Sequence, residues 1–434
     1  MKMFKYITVV LMGLFIQPLN AALEIDVTSG NLQPTPIAIP NFFEGSGASA
    51  EMCQKITEVI VNDLKNCGLF APIDPKAFIQ DAASLQGGPH FSEWRLIHAD
   101  TLVSGKVENA GDGNIRVEFR LFDVVREVQI EGKAFSGPEK DWRRMAHKVA
   151  DAIYKRITTD DGYFDTKIIY VARTQQGKKR TERLAVMDQD GANNQYITEG
   201  NSLVLTPRFS PDMNSVTYID FGPTKVARVY VMNLKTRQRM LMGDFKGMTF
   251  APRFAPDGNK LVMSYAEGGI TSIFEFDLAN KKIRRLTQDP VIDTSPCYSP
   301  DGSRIVFNSD RAGLTQLYVM PASGGSAERI SFGSGSYRTP VWSPRGDLIA
   351  FTKIANGQFY IGVMRPDGSG ERLIAQGFVV ESPSWAPNGR MLIYTKEEKR
   401  GSPKLCVIDV TGHNERDLNT PQGAVHGSWS PLIP

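Results

Sequence analysis

Cysteine and histidine are scarce in this chain of 434 residues, with four of the first and five of the second. The cysteines form no disulfide framework and no zinc spacing such as C-x₂-C. Cys53 and Cys67 stand fourteen residues apart, at the two ends of one predicted helix. At about 1.5 Å of rise per residue they lie roughly 21 Å apart, far beyond a bridgeable separation. Cys297 and Cys406 fall in different stretches of the second half, and all four read as isolated small buried residues. Charge of one sign is missing too. The net charge is +3, falling to +1 once Lys2 and Lys5 are set aside. A balance so near neutral leaves no footprint for nucleic acid or acidic lipid.

Long apolar runs are also lacking. The nearest to one is Ile7 to Ile16, broken by Thr8 and Gly13 and about half the roughly 20 residues that a membrane span needs. Lys2 and Lys5 precede it, and Pro18 and Asn20-Ala21-Ala22 follow. That order reads as a secretory signal over residues 1–22, cleaved after Ala21 or Ala22. The mature chain is therefore expected to be exported and soluble.

What the sequence does have is a repeat. Its second half reads TPRFSPD (206–212), APRFAPDG (251–258), SPCYSPDG (295–302), TPVWSPRG (339–346), SPSWAPNG (382–389) and HGSWSP (426–431). The second prolines, from Pro211 through Pro256, Pro300, Pro344 and Pro387 to Pro431, are spaced 45, 44, 44, 43 and 44 residues apart. In each repeat an aromatic ends a short strand, and Pro with Asp-Gly, Arg-Gly or Asn-Gly makes a turn. Proline fixes φ there and glycine supplies a positive one. Three more short strands follow, as in Ile305-Val306-Phe307 and Leu317-Tyr318-Val319. Four antiparallel strands in about 44 residues make a propeller blade. The last motif supplies only an innermost strand, and the stretch from Ile168 to Met187 lacks one. Joined, they complete a sixth blade and leave no open edge.

Residues 23 to 160 carry no such repeat. Ser49 to Leu64 has apolar residues at helical spacing and stops at Cys67-Gly68. A short helix is expected at Phe91–Ile97, then strands at Thr101–Val107, Asn114–Val124 and Arg126–Phe135, then a helix from Pro138 to about Ile157. The fold class is thus an N-terminal α/β domain (23–160) followed by a six-bladed β-propeller (161–434) closed by the C-terminal strand. Ahead of the α/β domain, Leu23 to Thr28 alternates like a strand and leads into a proline-rich run ending at Pro40. It reads either as an edge strand of its own domain or as a detachable arm that a partner captures by strand addition.

No catalytic constellation emerges. The chain has no G-x-S-x-G elbow, H-E-x-x-H, P-loop or dinucleotide fingerprint. Its histidines (His90, His98, His147, His413, His426) are single and read as structural. Asp188-Gln189-Asp190-Gly191 opens like a calcium loop and has Glu199 at the twelfth place, but Ala192 and Asn193 stand at the fifth and sixth. That departs from the ligand pattern, so a turn is the better reading. No catalytic residue, metal or cofactor is expected. One end of the propeller gathers Met248-Thr249-Phe250, Asp293-Thr294, Ser336-Tyr337-Arg338, Val379-Val380-Glu381 and the turns at Phe221, Asp310-Arg311 and Ile354-Ala355-Asn356. This face varies between repeats and is partly apolar, as a binding surface on a rigid scaffold would be. The opposite face carries the monotonous Pro-Asp-Gly hairpins.

Taken together, the signal, the LEIDVTSG start, the α/β domain and the [ST]-P-x-aromatic-[SA]-P-[DN]-G repeats resemble the TolB family of the bacterial Tol–Pal system along the whole mature chain. Met213, where glycine is usual, and Arg345, in place of an acidic residue, depart from the repeat on the hairpin face. The resemblance implies a periplasmic, monomeric, non-enzymatic adaptor that supports outer-membrane integrity and constriction at cell division. It implies that the propeller binds the lipoprotein Pal, with Met248, Thr249, Phe250, Ala251 and Thr294 at the matching positions. It implies that the leading arm, residues 23–33 with Leu23, Glu24, Ile25, Asp26, Val27 and Thr28, engages the C-terminal domain of TolA. Membranes would be reached only through these partners. The alternatives are an exported propeller hydrolase, which would need a polar cluster in the channel, and a carbohydrate-binding propeller, which would need exposed aromatics such as Tyr337 and Phe378.

Overall fold

The computed structural model describes residues 33–177, 179–222, 225–243 and 245–433. The signal segment and Leu23 to Thr28 lie outside the described residues. The first strand, β1 (Thr35–Ala38), arises inside the proline-rich run, where no strand is expected from sequence. It sits within a sheet, parallel to both neighbours, in the order β3 (Phe70–Pro72), β1, β4 (Thr101–Gly111), β5 (Asn114–Asp123), β6 (Val128–Pro138). A two-residue strand, β2 (Phe43–Glu44), pairs with β4. Pro36 is tolerated there because the ladder uses its carbonyl, which accepts from the Asp100 N–H at 3.1 Å.

Helix α1 (Ala50–Asn66) starts where the Ser49 hydroxyl accepts the Met52 N–H at 3.2 Å. It buries Cys53, Ile56, Ile60 and Leu64, a stripe at helical spacing. Short α2 (Phe91–Leu96) buries Trp94, whose indole N–H reaches Gln80. Helix α3 (Trp142–Thr158) buries Met145, Val149 and Ile153 and ends at Thr159 in the left-handed region. The residues inside α1 and α3 share one apolar cluster with Ile168, Tyr170, Ile393, Leu405 and Trp429 of the propeller. The two halves are therefore joined by continuous core.

The propeller has six four-stranded blades. Their innermost strands are Val204–Phe209, Met248–Phe254, Asp293–Tyr298, Ser336–Trp342, Val379–Trp385 and Gly423–Trp429, taken here as blades one to six. Blade six closes the ring: Gly423–Trp429 pairs antiparallel with Lys167–Gln176, with Val425 opposite Val171. All four cysteines are free and buried. Among the described residues no helix is long and apolar enough to cross a membrane.

Every innermost strand carries a bulge that its sequence does not announce. Thr206, Ala251, Ser295, Thr339, Ser382 and His426 all have φ between 46° and 58°, and the ladder slips at each of them. A positive φ strains any residue but glycine, so something must hold it. Side chains of the preceding blade take up several of the freed N–H groups. The Ser264 hydroxyl accepts Ser295 N–H at 3.2 Å, Asn308 accepts Thr339 N–H at 3.2 Å, and Thr395 accepts His426 N–H at 2.9 Å. These bonds stitch neighbouring blades around the channel.

Candidate functional site

Strand direction alternates within a blade, so the five hairpins that follow the second prolines share one end of the propeller. The α/β half sits on that end, over blades four to six. Asp160, just past α3, accepts from Arg345 at 2.8 Å and Arg390 at 2.7 Å. Burial raises the Asp160 pKa, but the bonds from Arg390 and Arg345 outweigh it and hold the carboxyl below its ordinary range. Arg345, the departure from the repeat, is thus a tether between the halves. Deeper in the junction, the His147 ring and the Asp63 carboxylate meet at 2.6 Å, both almost wholly buried. Gln189 of the propeller also donates to Asp63, at 2.8 Å. Burial pulls the His147 pKa down, but Asp63 in contact and Asp190 and Asp188 beyond it drive it up to about 9.

His147, Asp188 and Asp190 bring donor atoms within 4.8 Å of one another, the spacing of a cation site. Their charges are already matched. Arg143 bonds Asp190 and lies 3.5 Å from Asp188, Lys167 bonds Asp188 at 2.5 Å, and His147 is cationic. The 188–191 segment forms the expected turn, with Gly191 N–H donating to the Asp188 carbonyl at 2.9 Å.

Among the described residues, none of the α/β half reaches the opposite end of the propeller. Large apolar side chains stand exposed around it, six being Leu203, Met248, Ile270, Ile292, Leu314 and Phe332. Phe332 is 72% exposed and Leu314 60%. Each sits in a loop entering an innermost strand or in the turn between second and third strands, where no neighbouring blade covers it. Monomeric surfaces seldom gather apolar groups in this way without a partner. Two cations of the same loops are locked in place. Arg311 donates to both oxygens of buried Asp293 at 3.1 Å and lies over the rings of Tyr318 and Phe307. Arg228 donates to the Gly247 carbonyl at 2.6 Å and pins the loop before Met248.

The five propeller residues singled out from sequence are divided by the structure. Met248 is exposed on this end, and Phe250 is half-buried beside it. Ala251 occupies a bulge with φ of 50°. Thr294 is half-buried, its hydroxyl accepting the Asn308 amide at 2.6 Å. Thr249 is wholly buried, and its hydroxyl accepts the Val229 N–H at 3.1 Å, so it braces the blade instead of facing outward. Asp293, Tyr337 and Val380 likewise do not line the surface, because strand alternation turns them inward. Tyr337 lies beneath Lys353 with its hydroxyl on Glu371 at 2.8 Å. Of the two aromatics expected to be exposed, only Phe378 is, at 49%. Sequence reading named only Met248 of these six and missed the other five, of which Leu314 and Phe332 are the most exposed. The signal of these two was a large apolar residue inside a Gly- or Ser-rich turn, where a solvated loop has no use for one.

Comparison with known proteins bears on this whole arrangement. Residues 154–433 match the family described as the TolB beta propeller domain, and residues 23–130 match the TolB amino-terminal domain. A Tol-Pal system protein TolB of Paramagnetospirillum magneticum is 54% identical over 425 residues, covering 96% of this chain and 95% of the relative. One of Rickettsia bellii (strain OSU 85-389) is 50% identical over 426 residues, covering 95% and 96%. The crystal structure of TolB from Acinetobacter baumannii superposes with a TM-score of 0.83 at 27% identity, over 92% of this chain and 97% of that one.

Proposed function

The chain belongs to the TolB family of the Tol–Pal system, and on that footing we propose that it is a non-enzymatic periplasmic adaptor whose free propeller face docks the lipoprotein Pal. The apolar rim of that face carries the proposal, because it lies opposite the α/β half and is left uncovered by the described residues. The secretory signal read over residues 1–22 supports export to the periplasm.

The arm, residues 23–33, is the proposed ligand of TolA. The chain enters β1 at Thr35, paired with Phe70, two residues from Gly68, which packs against Asn414 of blade five. An arm leaving at that point starts beside the junction of the two halves. Docking and release of the arm there would couple occupancy by TolA to occupancy by Pal, in support of outer-membrane integrity and constriction at division.

The test is calorimetric titration of the mature chain with the periplasmic domain of Pal from the same organism, beside Met248→Asp and Thr294→Arg variants. Saturable binding weakened about tenfold or more by either change is expected, since each buries an unpaired charge in the interface. Wild-type affinity in both variants would remove the free face from the account. A chain lacking residues 23–33 should lose TolA and keep Pal; retained TolA binding would end the arm assignment.

A further inference from the structure

The residue just before the aromatic of each repeat points toward the propeller axis. In order these positions hold Arg208, Arg253, Cys297, Val341, Ser384 and Ser428. All six line a cavity of about 560 Å³ that opens among the hairpin prolines. Arg208 and Arg253 also line a narrower chamber of about 60 Å³ among the bulge residues Thr206, Ala251, Ser295, Thr339 and Ser382. Two guanidinium groups thus face the same small space.

Neither is neutralised. Arg208 is only 9% exposed and bonds one acceptor, the Pro207 carbonyl at 2.7 Å, although a guanidinium carries five donors. Among the described residues no carboxylate lies within ion-pair distance of Arg208 or Arg253. Other sheltered cations of this molecule are treated differently. Arg390 has Asp160, Arg311 has Asp293, Arg143 has Asp188 and Asp190, and Lys353 has Glu371. Burial first, and the charge of Arg253 second, push the Arg208 pKa well below its ordinary value. Buried unpaired charge is strongly unfavourable unless a counter-ion is supplied. Two further buried polar atoms at this level, the Thr206 hydroxyl and His426 Nδ1, have no hydrogen-bond partner. His426 feels the Arg208 charge, which together with burial lowers its own pKa.

We propose that the propeller channel is a binding site for a small oxyanion, held between the guanidinium groups of Arg208 and Arg253. Planar forks of N–H donors match the geometry of a carboxylate or a phosphate, and both offer that chemistry. The channel is fixed by the blade-to-blade bonds at the bulges, so the site is preorganised. This inference stands apart from the adaptor reading, since it concerns the axis and not the free face.

The experiment is titration of the mature chain with inorganic phosphate and, separately, with citrate, in a buffer free of other oxyanions. The variants are Arg253→Gln and Arg208→Gln. Saturable binding of phosphate alone, of citrate alone or of both, weakened about tenfold or more in Arg253→Gln, supports the site and says which source fills it. Arg208→Gln should lose the anion and melt no lower than the wild type without ligand, because it removes an uncompensated charge. No binding of either anion, or equal binding by wild type and both variants, overturns the proposal.

Discussion

His147→Gln is the perturbation that most sharply probes the junction of the two halves. In the folded chain His147 titrates near 9, because Asp63, Asp190 and Asp188 outweigh its burial; unfolded, it should titrate near 6.5. A folded pKa above the unfolded one means that the fold binds the proton. The stabilisation is therefore fully present below about pH 6.5 and is lost as pH rises through about 9. The difference between those two values corresponds to roughly 3 kcal/mol, carried by an ion pair that is almost wholly buried. Asp63, whose pKa is raised by its own burial, changes stability in the same direction. Asp151, pushed up to about 7 by burial against the bonds from the Phe164 and Asp165 N–H groups, also changes in that direction, but it has largely finished titrating by pH 8. Urea unfolding at 25 °C between pH 6.5 and 9.5 should show the wild type losing roughly 3 kcal/mol more than His147→Gln across the range. Identical pH profiles for the two proteins would refute a protonated His147 at the junction.

Other perturbations test neighbouring parts of the argument. Arg345→Asp restores the acidic residue usual in the repeat, yet it should lower stability by about 1–2 kcal/mol by facing Asp160 with a like charge; an unchanged or raised midpoint in urea would deny the tether. Thr395→Val keeps the shape of a fully buried side chain but strands the His426 N–H at its bulge. A loss of about 1–3 kcal/mol is expected in thermal or urea unfolding, and a neutral result would mean that the bulge is held by other means. The His426 pKa is depressed to about 3, first by burial and then by Arg208, Arg173 and Arg180. Its stabilisation is thus present above about 6.5 and lost as pH falls toward 3, and His426→Asn should flatten that acid limb; an unchanged limb would contradict it.

The propeller was legible because its instructions are local. Proline, joined by glycine in four of the five hairpins, fixes each turn within four residues, and the 44-residue period repeats the instruction until the ring closes. The strands of the α/β half were legible where the pattern alternates, though Val128–Pro138 begins two residues after the expected Arg126, because Glu127 takes a left-handed turn. β1 was not legible, since Pro36 argues against an interior strand unless its neighbours are known. The junction was hidden for another reason. Asp63 and His147 are 84 residues apart and Asp160 and Arg390 are 230 apart, and no periodicity brings such pairs together. Thr249 and Tyr337 were misplaced because a loop assignment says which end of a blade a residue occupies, not whether its side chain turns inward. The bulge residues carry a signal after the fact: in five of six blades they stand before proline.

The central claim is that this chain docks its partner on the propeller end opposite the α/β half. Hydrogen–deuterium exchange of the mature chain, free and saturated with the periplasmic domain of Pal, tests it most directly. The account predicts slowed exchange in the loops 203–205, 248–251, 292–294, 332–336 and 378–381, with the hairpins at 212–214, 257–259 and 301–303 unchanged. Protection confined to those hairpins would place the partner on the wrong end of the propeller and contradict the account.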